Sequence, residues 1–331
     1  MKILTDYLIT ENQCPLWEEN TQNIDDIPFW GDKYAFSQHH WMKTLRLFWQ
    51  RKDYDLIITG HFRGSLLYAW LQWIFPWHKR PQLMLDFMLD EKQPSLIWQI
   101  KRQIQKRLLQ KVDRILIFSR QELEEYSRLL DIPQNKFQFV YYHTNIIEPH
   151  LVSRHGGYIF AAGNAGRDYA TLLKALEGTD IPTIIVTSPA NLAGLKTPPS
   201  VKVFYNIPYD KYLELLNNAR IVVVPLHKRV RSVGMVVMME GMALGKPVVV
   251  SCACSLKEYI EDGKNGFMVE VNDATALREK IFYLLDNPQE AARIGTQALE
   301  DIKNRWTFNH YVSEVLKIAR EMVDINLCGI K

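Results

Sequence analysis

A chain of 331 residues, 47% hydrophobic, with 40 Lys and Arg against 37 Asp and Glu, is long enough for two domains that each bury a core, and its net charge is only +3. Basic and acidic residues stand at 19 to 18 through residue 150 and at 21 to 19 after it, so neither half has the global basicity of a nucleic-acid binder. The four cysteines (Cys14, Cys252, Cys254 and Cys328) are sparse, and Cys252 and Cys254 lack the spacing of a CxxC metal or redox site, so they read as reduced thiols of a cytosolic protein.

The opening MKILTDYL, Met1 to Leu8, reads as a strand interrupted by an acid and not as a signal peptide. Residues 11–35 form a polar, acid-leaning connection without strong periodicity. His39 to Gln50 predicts a helix, and Asp55 to Thr59 a buried strand ending at Gly60. GHFRG then leads into a helix from Ser65 to Phe75, stopped by Pro76. Gly60, His61, Arg63 and Gly64 therefore fall at a strand-to-helix turn, where parallel sheets place ligand groups. The plainer reading gives the two glycines a turn to make and leaves His61 on the surface. DYD, Asp53 to Asp55, mimics a DxD metal motif but leads straight into a buried strand, which argues against a metal site.

Trp70, Trp73 and Trp77 follow, with His78, Lys79 and Arg80 beyond. The apolar run is too short to span a bilayer, which needs about 20 residues, yet tryptophans suit a membrane surface. Gln82 to Asp86 reads as a strand, with Asp86 at its end and Asp90 in the loop after it. A helix from Leu96 to Val112 carries Ile97, Ile100, Ile104 and Leu108 on one face. Lys101, Arg102, Lys106, Arg107 and Lys111 occupy the others, with Arg114 just past the end. Such a helix has two readings: an apolar face packed on the sheet under a solvated basic face, or a face laid on anionic lipid. Strand Arg114 to Phe118, helix Gln121 to Leu130 and strand Phe137 to Tyr141 continue the alternation. Asn145 to Gly157, with Pro149 and the pair Gly156 and Gly157, reads as a linker.

YIFAAGNAGRDYATLLKAL opens the second half: strand Tyr158 to Ala162, turn Gly163 to Gly166, and Arg167 at the start of a helix through Leu176. A cation beside helix amides suits a diphosphate, because Arg can pair two oxygens and a cation at a helix start opposes the dipole unless an anion is present. A dinucleotide loop is the alternative, but GNAG lacks GxGxxG. Strands Thr183 to Thr187 and Val201 to Tyr205 and a helix Tyr209 to Asn218 follow. Then come strand Ile221 to Pro225, a helix Gly234 to Leu244 capped by Ser232 and stopped by Gly245 and Pro247, and strand Val248 to Val250. Glu240 is the only charge in that helix. A carboxylate among Met, Val, Gly and Ala is costly on a core helix unless hydrogen-bonded, and a sugar's hydroxyl pair would do this; the alternative is a glutamate at the helix's solvent edge. Further helices are read at Ala274 to Leu285, Pro288 to Lys303 and Thr307 to Val323.

GMVVMMEGMALGKPVV, with KEYIEDGKNGFMVEVND after it, resembles the nucleotide-sugar site of retaining glycosyltransferases of the two-domain GT-B type, family 4. The resemblance runs from about Gly156 to the end of the chain and is weaker before. It implies an α/β fold of two Rossmann-like parallel-sheet domains facing across a cleft. Residues 1–150 would bind acceptor, 151–306 would bind nucleotide sugar, and 307–331 would form a helix crossing back to the first domain. The implied reaction moves a sugar from a nucleotide-diphosphate donor to an acceptor hydroxyl with retention, without metal or cofactor, in polysaccharide, glycolipid or other glycoconjugate synthesis.

By position in that family, Arg167 matches the basic residue that grips the donor diphosphate, beside Gly163. Asn206 to Pro208 is the loop that holds the base through main-chain atoms. Val233, Gly234, Met235 and Val236 offer amides to phosphate and sugar, and Glu240 matches the ribose-binding glutamate. The family usually has a second glutamate eight positions earlier; here that place is Ser232, which alters the contact to the donor sugar. Asp86 stands where relatives have a histidine near the sugar, and His61 is the other first-domain candidate for catalysis. Docking of relatives on anionic membranes gives Lys101, Arg102, Lys106, Arg107, Trp73 and Trp77 a lipid reading and puts the protein at the inner face of the membrane. Two alternatives stay open: a non-catalytic GT-B partner subunit, and a membrane-surface binding module with no nucleotide dependence.

Overall fold

Short runs of β-branched residues build two sheets whose strands are covered on both faces, as parallel strands require. LIIT in the first half and the IVVV and VVVS runs in the second are buried throughout. The computed structural model describes residues 1–7, 14–28, 39–87, 89, 95–152, 156–252 and 256–327. It divides into two units, Met1–Tyr141 with Asn309–Lys331, and Tyr142–Phe308.

In the first unit β1 (Ile3–Thr5), α1 (Pro15–Asn20), β2 (Thr21–Asn23), α2 (His40–Gln50), β3 (Leu56–Thr59) and α3 (Phe62–Ile74) are followed by β4 (Gln82–Met84), α4 (Leu96–Leu109), β5 (Arg114–Ile117), α5 (Arg120–Leu130) and β6 (Phe137–Phe139). All pairings are parallel, in the order β2-β1-β3-β4-β5-β6, with Ile3 beside both Thr21 and Leu56. Leu4, Leu47, Ile57 and Tyr68 form one core cluster, and Leu109, Ile115, Tyr126 and Phe137 belong to another.

The second unit contains β7 (Tyr158–Ala162), α6 (Tyr169–Ala175), β8 (Thr183–Thr187), β9 (Val201–Tyr205), α7 (Tyr209–Asn217), β10 (Ala219–Val224), α8 (Met235–Ala243), β11 (Val248–Ser251), β12 (Phe267–Val269), α9 (Ala274–Asp286) and α10 (Pro288–Arg305). Its six parallel strands run β12-β11-β10-β7-β8-β9. One core cluster holds Ile159, Leu172, Ile221, Val249, Leu277 and Ile294. The last helix, α11 (Phe308–Leu327), belongs from Asn309 onward with the first unit: Asn309 Oδ1 accepts from Cys14 Sγ at 3.1 Å, and the Tyr311 ring lies 6.4 Å from Phe118.

Two local expectations are corrected, and one of the two readings of α4 is narrowed. The connection over 11–35 holds a six-residue helix and a three-residue strand that adds an edge to β1, both too short to leave a periodic trace. Helix α3 starts at Phe62, three residues early, because His61 is its cap: the ring Nδ1 accepts from Gly64 N at 3.4 Å, so Arg63 and Gly64 lie in the first turn. Helix α4 packs only Leu108 of its expected apolar face on the core and turns the rest outward. Gln105 and Leu109 are the buried positions, while Leu96 and Ile97 are 71% and 80% exposed and Ile100 and Ile104 are exposed too. Asp90, Cys254 and Cys328 lie outside the described residues.

Candidate active site

In the second unit the strand order reverses between β10 and β7, and ligands of parallel sheets bind beyond the carboxyl ends of strands at such a switch point. Gly163 follows β7 with φ +114°, a backbone that side chains rarely adopt, and a Cβ there would clash with the Arg167 guanidinium folded over it. Arg167 is buried; its Nε donates to Ala162 O at 2.7 Å and its Nη1 to Ala165 O at 2.8 Å. Burial lowers its pKa, opposed by the phenols of Tyr169 and Tyr212. No carboxylate among the described residues ion-pairs with it, so its charge is held by backbone dipoles alone. The helix expected to start at Arg167 starts at Tyr169, and Asp168 caps it, accepting from Thr171 N at 3.0 Å and Thr171 Oγ1 at 2.6 Å. That seven-residue helix therefore presents no amide site for an anion.

Helix α8 differs. Gly234 precedes it with φ +87°, and a Cβ there would sit 2.9 Å from Val224 Cγ1, so only glycine lets the chain turn so close to β10. The cap position is Gly234, two residues after the expected Ser232, and glycine has no side chain to bond the first-turn amides. The first-turn amides point their dipole beyond β10, with Val233 and Met235 buried and Val236 exposed. The nine residues of this helix are buried except for Val236, and Glu240, among the Met, Val and Ala side chains, has an exposure of 0%.

The solvent-edge reading of Glu240 is thus excluded. Its carboxylate accepts from Tyr212 Oη at 2.5 Å, Tyr209 Oη at 2.8 Å and Asn145 Nδ2 at 3.3 Å. Burial pushes its pKa up, and those three hydrogen bonds pull it back. Tyr209 and Tyr212 lie one turn apart on α7 with rings stacked at 5.7 Å and 17°. Sequence reasoning missed both, although two phenols at i and i+3 are a suitable donor pair for a buried acid. Asn206, at φ +50°, is exposed in the bend that leads from β9 to Tyr209.

The first sheet has its own switch point, between β1 and β3. Asp6 follows β1, and its Oδ1 accepts from Gly60 N at 2.7 Å, linking the two strand ends. Burial raises the Asp6 carboxyl to about 6, with the Gly60 hydrogen bond pulling against it. His61 stacks on His40 at 4.4 Å, and burial lowers both imidazoles. Asp86, two residues past β4, is close enough for its charge to raise the phenol of Tyr7 after burial has done so. The structure therefore gathers His61 and Asp86 with Asp6, Tyr7 and His40, which were not singled out. The acid interrupting the first strand was their signal. Asp55 lies elsewhere, at the amino end of β3, where Oδ2 accepts from Lys2 N at 2.7 Å.

The basic helix α4 has unequal charges. Lys106 pairs with Asp131 at 3.2 Å and Arg102 stacks over the Trp98 ring at 4.8 Å, whereas Lys101 and Arg107 are exposed. Lys111 lies 5.4 Å from the ring centre of Trp73, tying the end of α4 to the exposed Trp73 of α3, and Trp77 is exposed beyond it. Among the described residues no helix is long and apolar enough to cross a membrane, and no group of three or more His, Cys, Asp or Glu is placed to hold a metal ion.

Residues 191–301 match the family model of glycosyl transferases group 1. An uncharacterized glycosyltransferase of Methanocaldococcus jannaschii is 32% identical over 116 residues, 35% of this chain and 32% of that protein. The D-rhamnosyltransferase WbpZ of Pseudomonas aeruginosa is 29% identical over 134 residues, 38% of this chain and 35% of that protein. The chain thus matches about a third of the length of these curated relatives. Among solved structures, sucrose-phosphate synthase from Thermosynechococcus elongatus is similar at a TM-score of 0.65 and 18% identity, over 91% of this chain and 83% of that one. Anabaena HepE in complex with UDP and glucose is similar at 0.68 and 15%, over 96% and 99%. Residues 191–301, which hold both tyrosines, α8 and Glu240, therefore resemble the glycosyl transferases group 1, and the chain has an α/β fold of the GT-B kind.

Proposed function

We propose that the protein is a retaining glycosyltransferase that moves a sugar from a nucleotide-diphosphate donor to an acceptor hydroxyl. The observation that carries this reading is Glu240, a carboxylate kept wholly buried on α8 beside the switch point, where only hydroxyl or amide donors could make it tolerable. HepE is solved with UDP and with UDP-glucose, which supports a donor of that class.

In this reading Glu240 takes the ribose hydroxyls, and the Asn206 to Pro208 bend takes the base. Arg167 and the amino end of α8, with Gly163 and Val233 to Val236 around them, take the diphosphate. The bond from the anomeric carbon to the diphosphate oxygen breaks while the acceptor oxygen bonds to that carbon on the same face. The acceptor's proton passes to the departing phosphate. Negative charge grows on that phosphate, and a buried guanidinium and aligned amides lower the barrier by meeting it. No metal or cofactor is invoked. Ser232 replaces a carboxylate with a short hydroxyl near the donor sugar, so donor choice differs from the family's usual pattern. Asp86 and His61 serve the acceptor side of the first unit.

The exposed Leu96, Ile97, Ile100 and Ile104 of α4, with Lys101 and Arg107 near them, favour a further element: work at an anionic membrane surface on a lipid-linked or glycan acceptor in glycoconjugate synthesis. The test is thermal unfolding against UDP, GDP, ADP, CDP and TDP for the wild type and Glu240→Ala. Ligand at about 100 times its Kd adds about 2.7 kcal/mol. A shift with one base, absent in the variant, is expected. Silence across the panel from a folded wild type would overturn the enzyme reading in favour of a non-catalytic partner subunit.

A further inference from the structure

The Glu240 carboxylate is already engaged. Oε1 accepts from Tyr209 and Asn145, and Oε2 from Tyr212. A carboxylate offers about four acceptor sites, and a ribose diol needs both of its oxygens. If the pocket is a nucleotide site, as proposed above, the ribose must replace a protein donor to bind.

The three donors differ in what their departure costs. Tyr212 is the more enclosed phenol, makes the 2.5 Å bond, and packs its ring against Phe160 at 5.6 Å. Its phenol is deeply desolvated, so without Glu240 it would be left with an unmade hydrogen bond in the interior. Asn145 contributes only a long 3.3 Å contact. Tyr209 is the first residue of α7, directly after the exposed Asn206 to Pro208 bend, and is itself 46% exposed. When it swings away, water can take its hydroxyl at little cost.

We infer that Tyr209 is a displaceable occupant of the ribose position, ejected by the incoming nucleoside, while Tyr212 is the fixed donor that keeps the carboxylate oriented to receive it. The arrangement stabilises the buried carboxylate in the absence of nucleotide: burial pushes its pKa up, and the Tyr209 hydroxyl joins Tyr212 and Asn145 in pulling it back until a ligand takes its place. It also sets a selectivity. A ribonucleoside, with two hydroxyls, can replace what Tyr209 gave and add a contact, whereas a 2′-deoxynucleoside can only replace it.

Two substitutions of the same kind, one turn apart, must then act in opposite directions. Removing the competing hydroxyl raises the fraction of pocket ready for ligand and so lowers the apparent Kd. Titration calorimetry of UDP, GDP, ADP, CDP and TDP on the wild type first names the diphosphate that binds, and the same ligand and its 2′-deoxy form (for TDP, its ribo form) are then titrated into Tyr209→Phe and Tyr212→Phe. Tyr209→Phe is expected to bind the ribonucleotide about fivefold more tightly, with a smaller gain for the deoxy form. Tyr212→Phe is expected to bind both about tenfold more weakly. Tyr209→Leu, which removes the ring edge as well as the hydroxyl, should share the sign of Tyr209→Phe. Unchanged or weaker binding by both Tyr209 variants, with the wild type binding normally, overturns the role of Tyr209 and leaves the nucleotide site standing. Absence of binding by the wild type and by Tyr209→Phe alike overturns the nucleotide reading and this inference with it.

Discussion

Helices α8 and α4 break the ordinary rule of burial in opposite directions. Helix α8 hides a carboxylate among methionines and valines, and α4 shows isoleucines to water while Gln105 lies inside. A chain selected for stability alone would do neither, since burying a charge and exposing aliphatic surface both cost free energy. The difference lies in how each cost is met. Around Glu240 the protein supplies its own donors, so that deviation is locked into the core. On α4 the described residues supply no cover, so that deviation is left for something outside the chain.

Stability measurements should separate the two. Glu240→Ala removes the acceptor of Tyr212, Tyr209 and Asn145 at once and opens space beside them, and should cost about 2–4 kcal/mol in urea unfolding. Ile97→Ser on α4, at a side chain already in water, should stay within about 0.5 kcal/mol. A loss of several kcal/mol at Ile97 would mean that α4 is covered within the protein, and the contrast would collapse.

Lys246 sharpens the picture from the far end of α8, in the turn to β11. It is wholly buried, and burial lowers its ammonium to about 8 from an ordinary 10.5. Between those values the native state holds fewer protons than the unfolded chain, so this residue makes stability rise as pH climbs from about 8 towards 10.5, with its full cost present below 8. Lys246→Met should be more stable than the wild type by about 2 kcal/mol at pH 7, and the gap should shrink above pH 8 and close only past 10.5. Denaturant curves of both proteins across that range check it, and a constant gap would show that burial of the charge is not its origin.

Much of this was legible in the sequence, and what was not has particular causes. LIIT, RIVVV and VVVS announce parallel strands because both faces are buried, and Gly245 with Pro247 announces the end of α8. Glu240 stood out as a charge in an apolar run. Its partners did not: Tyr209 and Tyr212 sit 31 and 28 positions away, and Asn145 sits 95 away, brought near only by the fold. The Arg167 helix was misjudged because Asp168, a better cap, follows immediately. For α4 the periodicity of the apolar residues gave the face and left its direction open between sheet and lipid. A 3.6-residue pattern gives a face and says nothing of whether sheet, lipid or water lies against it.

The smallest expected effect tests the outward face most finely. A basic side chain at an anionic surface contributes about 1 kcal/mol, or about a fivefold change in partition, when its charge is not already compensated. Arg107 is exposed, whereas Lys106 lies 3.2 Å from Asp131, which follows α5. On vesicles of phosphatidylserine and phosphatidylcholine, Arg107→Gln should therefore weaken sedimentation of the protein about fivefold, and Lys106→Gln by less than half of that on a logarithmic scale. Asp131→Asn, which releases the Lys106 charge, should strengthen binding. All three effects should shrink together as salt rises, because the Debye length falls from about 10 Å at 0.1 M to about 3 Å at 1 M. Equal losses for Arg107 and Lys106 would mean that the Asp131 pair opens at the membrane. Salt-independent binding would point to Ile97 and its apolar neighbours as the whole of the attraction, leaving the basic residues as ordinary surface charge.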